Sequence, residues 1–485
     1  MHENDRLSSG IEGLDEVLDG GLPSGQTYLV RGGPGCGKTT LGWHFLTTAL
    51  DDGTPRLFIS LGESFEQLRR NGAASGFPVE AVEVLDLSPD AEFFVNNQGY
   101  DIFAAAQVEQ APLTERIVER VNAIQPKRVF IDSMTQLRYL STDAYQFRQQ
   151  AVGFLRFLVA AGATVLFTSE GSQEAPDEDL QFISDGILTL QMQDNGRVLE
   201  VTKLRGSSFR KGRHAMRICD RGLVVFPQLM ASENPISVVA PHLCPAGIPE
   251  IDELLNGGIE SGTVTIISGP SGVGKTTLGL QFIKEAAGRG DRSVVYLFEE
   301  AVDTLLNRCE GINIPVRAMV ERGTLSVLKV DPLLYSPDEF ANQVRLEVEK
   351  ANTQIIMIDS VLGYKLSFQE DDLIRNIHSL CQYLKGRGIT TLLTNEVESI
   401  TGDFKATELG VSYLADNIIF LRYLEIRGQM RRAIGVLKKR LSDFEKTLRE
   451  FEISRYGIKV GRPLTQLRGI LSGVPEFIKS RDDEP

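Results

Sequence analysis

Two stretches of this chain carry the residues with which proteins hold a row of phosphates. They are Gly32-Gly33-Pro34-Gly35-Cys36-Gly37-Lys38-Thr39-Thr40 and Gly269-Pro270-Ser271-Gly272-Val273-Gly274-Lys275-Thr276-Thr277. Both satisfy the P-loop spacing G-x-x-x-x-G-K-[ST]. The glycines let successive backbone N–H groups curl around an anion, and the lysine places its charge on the outer phosphates. The first threonine hydroxyl is a ligand for magnesium. The expected ligands are therefore ATP and Mg2+, twice per chain. Cys36 occupies a variable position of the loop and reads as filler rather than as a redox centre.

Phosphoryl transfer also needs a carboxylate on the magnesium side, a group that orients the attacking water or hydroxyl, and cations that offset developing charge. Each requirement has a candidate in both halves. The apolar runs Val129-Phe130-Ile131 and Ile356-Met357-Ile358 end in Asp132 and Asp359, the magnesium-side aspartates. Their other reading is as N-caps of the helices that follow. Val294-Val295-Tyr296-Leu297-Phe298 ends in Glu299-Glu300, whereas Leu57-Phe58-Ile59-Ser60-Leu61 ends in Gly62-Glu63. Side chains alternate along a strand, so Glu63 does not by register replace the carboxylate missing at Gly62. The first half is expected to bind ATP and hydrolyse it slowly. Lys203-Leu204-Arg205 and Lys438-Lys439-Arg440 give a Lys-x-Arg pair per half. Such a pair is suited to a neighbouring subunit's γ-phosphate in the manner of an arginine finger; its other reading is a solvated strand edge.

The elements around these residues are in the order that a P-loop requires. Thr27-Tyr28-Leu29-Val30 and Thr263-Val264-Thr265-Ile266-Ile267 read as buried strands entering each glycine loop. The helical patterns beginning Thr40-Leu41-Gly42-Trp43 and Thr277-Leu278-Gly279-Leu280 follow. Gly10-Ile11-Glu12-Gly13-Leu14-Asp15 answers Gly247-Ile248-Pro249-Glu250-Ile251-Asp252 at the same offset, so the repeat is a duplicated domain rather than a duplicated motif. The boundaries expected are a first domain at 1–231, a linker at 232–245 around Pro235, Pro241 and Pro245, a second domain at 246–460 and a short tail at 461–485. Each domain has the size to bury its own core.

Composition narrows the class. At 42% hydrophobic and 24% charged residues the chain is an ordinary globular protein, with no apolar run long enough to cross a bilayer. Its polar start, Met1-His2-Glu3-Asn4-Asp5-Arg6, lacks the apolar stretch of a signal peptide, and the expected location is cytoplasmic. The five cysteines form no C-x-x-C pair, which indicates neither a zinc site nor a disulfide framework. A formal charge of −14 opposes nonspecific attraction to nucleic acid.

Over its length the chain resembles the KaiC family of RecA-type tandem ATPases. The resemblance rests on Ser9-Gly10-Ile11-Glu12-Gly13-Leu14-Asp15, Ile131-Asp132-Ser133, Lys203-Leu204-Arg205-Gly206-Ser207, Tyr423-Leu424-Glu425-Ile426-Arg427-Gly428 and Arg449-Glu450-Phe451-Glu452-Ile453-Ser454. It implies an α/β fold of two tandem RecA-like P-loop NTPase domains, each a mostly parallel sheet flanked by helices. It further implies a double-ring homo-hexamer with ATP between subunits, where Lys203, Arg205, Lys438 and Arg440 act in trans. Serine autokinase activity is implied for the second domain, with Ser412 on the phosphorylated serine, and a signalling role of circadian-clock type. The chain departs from the family pattern at Tyr413, where a threonine is expected, so a two-step phosphorylation cycle is not expected while a single-site cycle at Ser412 is. Thr407 matches a further family threonine, and Leu441 stands where the first half has Gly206. The short tail argues against a KaiA-type activator, and a KaiB-like partner on the first domain stays open. The alternatives from other classes are a nucleic-acid-dependent RecA-type ATPase and a noncatalytic scaffold assembled by ATP.

Overall fold

A strand whose successive residues are all apolar has to be covered on both faces, and the P-loop strand of the first half meets that condition. In the computed structural model, Tyr28, Leu29 and Val30 are fully buried. Tyr28 and Val30 pack in one layer with Phe45, Phe58 and Phe130, whereas Leu29 packs in the opposite layer with Ile131, Phe147 and Leu155. The second half repeats this division. Ile267 joins Leu278, Phe282 and Met357 on one face, and Ile266 joins Tyr296, Phe340, Tyr364 and Ile377 on the other. The structure describes residues 6–50, 53–88, 114–139, 141, 143–171, 176–193, 196–229, 242–331, 335–366, 370–397, 411–470 and 476–477.

The chain divides into two compact units, Met1–Gln228 and Leu229–Pro485, each built on a nine-stranded sheet. In the first unit the order from one edge is Glu83–Asp86, Arg56–Ser60, Arg128–Asp132, Thr164–Ser169, Thr27–Arg31 and Gly186–Gln193, all parallel. Gly196–Leu204, Arg213–Cys219 and Gly222–Phe226 then continue it antiparallel. In the second unit the parallel part is Leu325–Lys329, Ser293–Leu297, Ile355–Asp359, Thr390–Glu396, Val264–Gly269 and Asn417–Ile426. Gln429–Lys439, Arg449–Ser454 and Gly457–Pro463 complete it antiparallel. These are two RecA-like P-loop domains in tandem, as the sequence implies. Residues 232–241 of the expected linker lie outside the described residues, and the last strand of the second nine-stranded sheet runs through residue 460 to Pro463.

The helix after each glycine loop, Lys38–Thr47 or Lys275–Arg289, lies close on the central strands because it carries a glycine where it crosses them. A Cβ on Gly42 would stand 2.2 Å from the Phe130 ring, and one on Gly279 would stand 2.8 Å from the thioether of Met357. A phenyl ring held by Phe58 at 5.1 Å cannot yield as a methionine side chain can. Gly42→Ala is therefore expected to cost about 1–3 kcal/mol and Gly279→Ala less, which thermal unfolding of the two variants measures.

Candidate active site

All the parallel strands of each sheet end at one edge, and the loops leaving that edge carry the first group of predicted residues. Gly35 and Gly37, at φ 72° and 101°, occupy the left-handed region, as do Gly272 and Gly274 at 72° and 115°. These turns bend the loop back over the start of its helix. Lys38 Nζ donates to the carbonyls of Gly32 (2.6 Å) and Gly33 (2.9 Å), and Lys275 Nζ to those of Gly269 and Pro270 (2.9 Å each). Burial pushes the Lys275 ammonium below its ordinary pKa, opposed by Glu396 at 3.7 Å and then by Asp359 and Glu299. Cys36 is buried in the core layer beside the helix, as filler would be.

Thr39 Oγ1 donates to Asp132 Oδ2 at 2.6 Å, and Thr276 Oγ1 to Asp359 Oδ2 at 2.8 Å. Each aspartate takes a second hydroxyl on its other oxygen, from Thr168 at 2.6 Å or Thr394 at 2.5 Å. The peptide bond after each aspartate is cis. Capping of the next helix falls elsewhere: in the second half the Ser360 hydroxyl accepts from Gly363 N at 3.1 Å. A threonine hydroxyl and a carboxylate side by side are hard oxygen donors, and Mg2+ typically takes one or two such groups with the rest of its shell from phosphates and water. The residues present fit that ion. Thr168 and Thr394 were missed from sequence; their signal is the shared position of Phe167-Thr168-Ser169 and Leu393-Thr394-Asn395 on the strand between the P-loop strand and the aspartate strand.

The two glutamates follow the end of the strand Ser293–Leu297, in a bend, and separate there. Glu299 Oε1 accepts from Ser360 Oγ at 2.5 Å, beside the aspartate, whereas Glu300 turns outward to Arg308 at 2.8 Å. In the first half Ser60 stands opposite Asp132 as Leu297 stands opposite Asp359, so Gly62 holds the register place of Glu299 and Glu63 that of Glu300. Glu63 nonetheless lies within electrostatic reach of the site: burial first, and the Asp132 charge second, hold its carboxyl above the usual carboxylate range.

The Lys-x-Arg pairs sit at the other edge of the sheet. Arg205 N bonds Asp185 O, and Asp185 N bonds Thr27 O at the start of the P-loop strand; Arg440, Asp416 and Val264 repeat this chain of bonds. Arg205 pairs with Asp185 at 3.4 Å and Arg440 with Asp416 at 3.6 Å. Lys203 Nζ donates to Gln181 O at 2.9 Å and Lys438 Nζ to Ser412 O at 3.1 Å, so Gln181 occupies in the first half the place of Ser412 in the second. Burial, then the neighbouring arginine, lowers the pKa of both lysines. The pairing register skips Thr202 and Leu437, a bulge just before each lysine. Lys439 turns inward to a buried pair with Glu260 at 3.2 Å and leaves Lys438 and Arg440 as the surface pair. Five residue steps at roughly 3.3 Å each put these cations about 17 Å along the P-loop strand from their own glycine loop. Ser412 is half-buried in the turn Val411–Tyr413, and Tyr413 is exposed with its ring near His378; Thr407 lies outside the described residues.

A parallel sheet with a P-loop, a threonine–aspartate pair and a second P-loop domain in tandem defines a RecA-type double ATPase. The family model described as ATPase: KaiC matches residues 7–230 and again 244–465. The chain belongs to the KaiC family. Similar proteins include the circadian clock oscillator protein KaiC of Acaryochloris marina, 29% identical across 97% of this chain and 91% of its own length. That of Synechococcus elongatus is 28% identical across 98% and 92%. The circadian clock protein KaiC3 of Synechocystis is 26% identical across 99% and 96%.

The paired hydroxyls on each aspartate generate a test. Replacing the threonine that orients a metal-side carboxylate typically weakens metal affinity by ~10–100-fold. Thr394→Val and Thr168→Val are each expected to raise the Mg2+ concentration that supports nucleotide binding at their own site within that range, as read by Mg2+ titration of fluorescent-nucleotide binding.

Proposed function

We propose that this KaiC-family ATPase works as a homo-hexamer whose nucleotide sites are completed by the neighbouring subunit, and that its second domain is also a serine autokinase. The observation that carries the reading is the separation of the Lys-x-Arg pairs from the glycine loops of their own sheets. A cation anchored at the start of the P-loop strand cannot reach phosphates held at its end, whereas a second copy placed head to tail brings the two edges together.

In the second domain the backbone N–H groups of 271–274 and Lys275 hold the phosphates. Thr276 and Asp359 would hold Mg2+, which when bound would supply positive charge to offset what develops during transfer. Glu299 orients a water or the Ser412 hydroxyl, and its bond to Ser360 fixes its rotamer. Lys438 and Arg440 of the adjoining copy offset the charge of the transferring group. Their hydrogen bonds to the carbonyls of Ser412 and Tyr413 carry the acceptor serine to the same interface. The first domain uses 32–37, Lys38, Thr39 and Asp132 for binding, with Lys203 and Arg205 in trans. Gln181 stands in place of Ser412 there and offers no hydroxyl to phosphorylate. A tandem division at about 231–246, a cytoplasmic location and a clock-type or other signalling partner, KaiB-like among them, belong to this reading. Nucleic acid does not, because of the acidic balance.

Lys275→Ala is expected to remove most ATP turnover and Lys38→Ala a minor share, with native mass spectrometry checking that each variant still assembles. Equal losses would show that both domains hydrolyse alike. Intact-mass measurement after incubation with Mg2+ and ATP is expected to show one added phosphate, lost in Ser412→Ala; an unmodified parent chain would exclude the autokinase.

A further inference from the structure

The two halves exchange a polar side chain for a glycine across one contact. In the second domain Glu299 leaves the strand end and lies over Gly363, where an added Cβ would meet Glu299 Oε1 at 3.3 Å and Cγ at 3.4 Å. In the first domain position 62 is glycine, and Gln136 stands in the place of Gly363, four residues after the aspartate in each case. An added Cβ on Gly62 would meet Gln136 Cγ and Nε2 at 3.9 Å each. The same space beside the magnesium-side aspartate is thus filled by a carboxylate from the strand in one domain. In the other it is filled by an amide from the helix Met134–Tyr139.

We propose that Gln136 positions the attacking water of the first nucleotide site, in the place that Glu299 takes in the second. This rests on the ATPase reading of the first domain and adds the residue that the glycine at position 62 leaves unnamed. A primary amide suits the role, since its carbonyl accepts a hydrogen bond from water and its NH2 donates to a γ-phosphate oxygen. It does not take up a proton. The water oxygen forms the new bond to phosphorus as the bond to the β–γ bridging oxygen breaks, the electron pair leaving with ADP and the water's proton passing to an oxygen of the released phosphate. Hydrolysis with an orienting amide and no strong base is slow, which gives the first domain an intrinsically slower turnover than the second.

The test uses the full chain with Lys275→Ala silencing the second site and follows phosphate release together with nucleotide binding. Gln136→Met keeps the side-chain volume and removes the amide. It is expected to lower kcat about tenfold or more with KM and nucleotide affinity unchanged. The pair Gly62→Glu with Gln136→Gly rebuilds the arrangement of the second domain and is expected to restore turnover to the parental rate or above. Parental kcat in Gln136→Met would mean that the glutamine only fills space and would overturn the proposal, as would a rebuilt pair no faster than Gln136→Met. If the parent binds no Mg-ATP at the first site, the nucleotide reading itself fails and the proposal falls with it; binding and turnover indifferent to position 136 sinks the proposal alone.

Discussion

A parallel sheet presents the carboxyl ends of all its strands at one edge, and the rest of this protein follows from that polarity. The glycine loop after Arg31, the aspartate ending Arg128–Asp132 and the turn after Ser60 come from distant parts of the chain and emerge side by side. Because the amides and the start of the helix also point there, the edge attracts anions before any side chain is considered. The opposite edge collects what precedes each strand, and the cation pairs are bonded there through Asp185 and Asp416. Each domain therefore holds its glycine loop and its cation pair at opposite edges of one sheet, the separation on which the proposed head-to-tail assembly rests.

The two domains share this scaffold closely enough that their differences are informative. The threonine–aspartate–threonine triplet is the same in both, from Thr39, Asp132 and Thr168 to Thr276, Asp359 and Thr394. The differences lie around that triplet and at the cation pair: glycine against glutamate after the strand end, glutamine against glycine on the facing helix, and Gln181 against Ser412 beside the lysine. In the second domain position 363 is confined to glycine by Phe298 as well, since an added Cβ would stand 2.4 Å from Phe298 Cβ. Each half therefore has its own mutually consistent solution rather than a defect in one.

Legibility in the sequence tracked locality. The glycine loops, their lysines and threonines, and the strands and helices flanking them are contiguous, and their chemistry depends on neighbours within a few residues. The same holds for Asp132 and Asp359, each at the end of an apolar run. Thr168, Thr394 and Gln136 were not legible. Their contacts come from strands and helices that the fold places together, and a lone threonine or glutamine has no distinguishing spacing. Nor was the parting of Glu299 and Glu300 legible: in the bend after Leu297 the first turns to Ser360 and the second to Arg308.

By itself the sequence determined that two phosphate cradles exist, which residues line them and that they belong to one duplicated domain. Those features are set by backbone conformations and hydrogen bonds local to a loop. Only the tertiary structure decided that Glu299 rather than Glu300 turns toward the aspartate, that Gln136 faces Gly62, and that the cation pairs lie at the far edge of the sheet. These are distances between segments far apart in the chain, fixed by strand order and by the packing of helices on both faces.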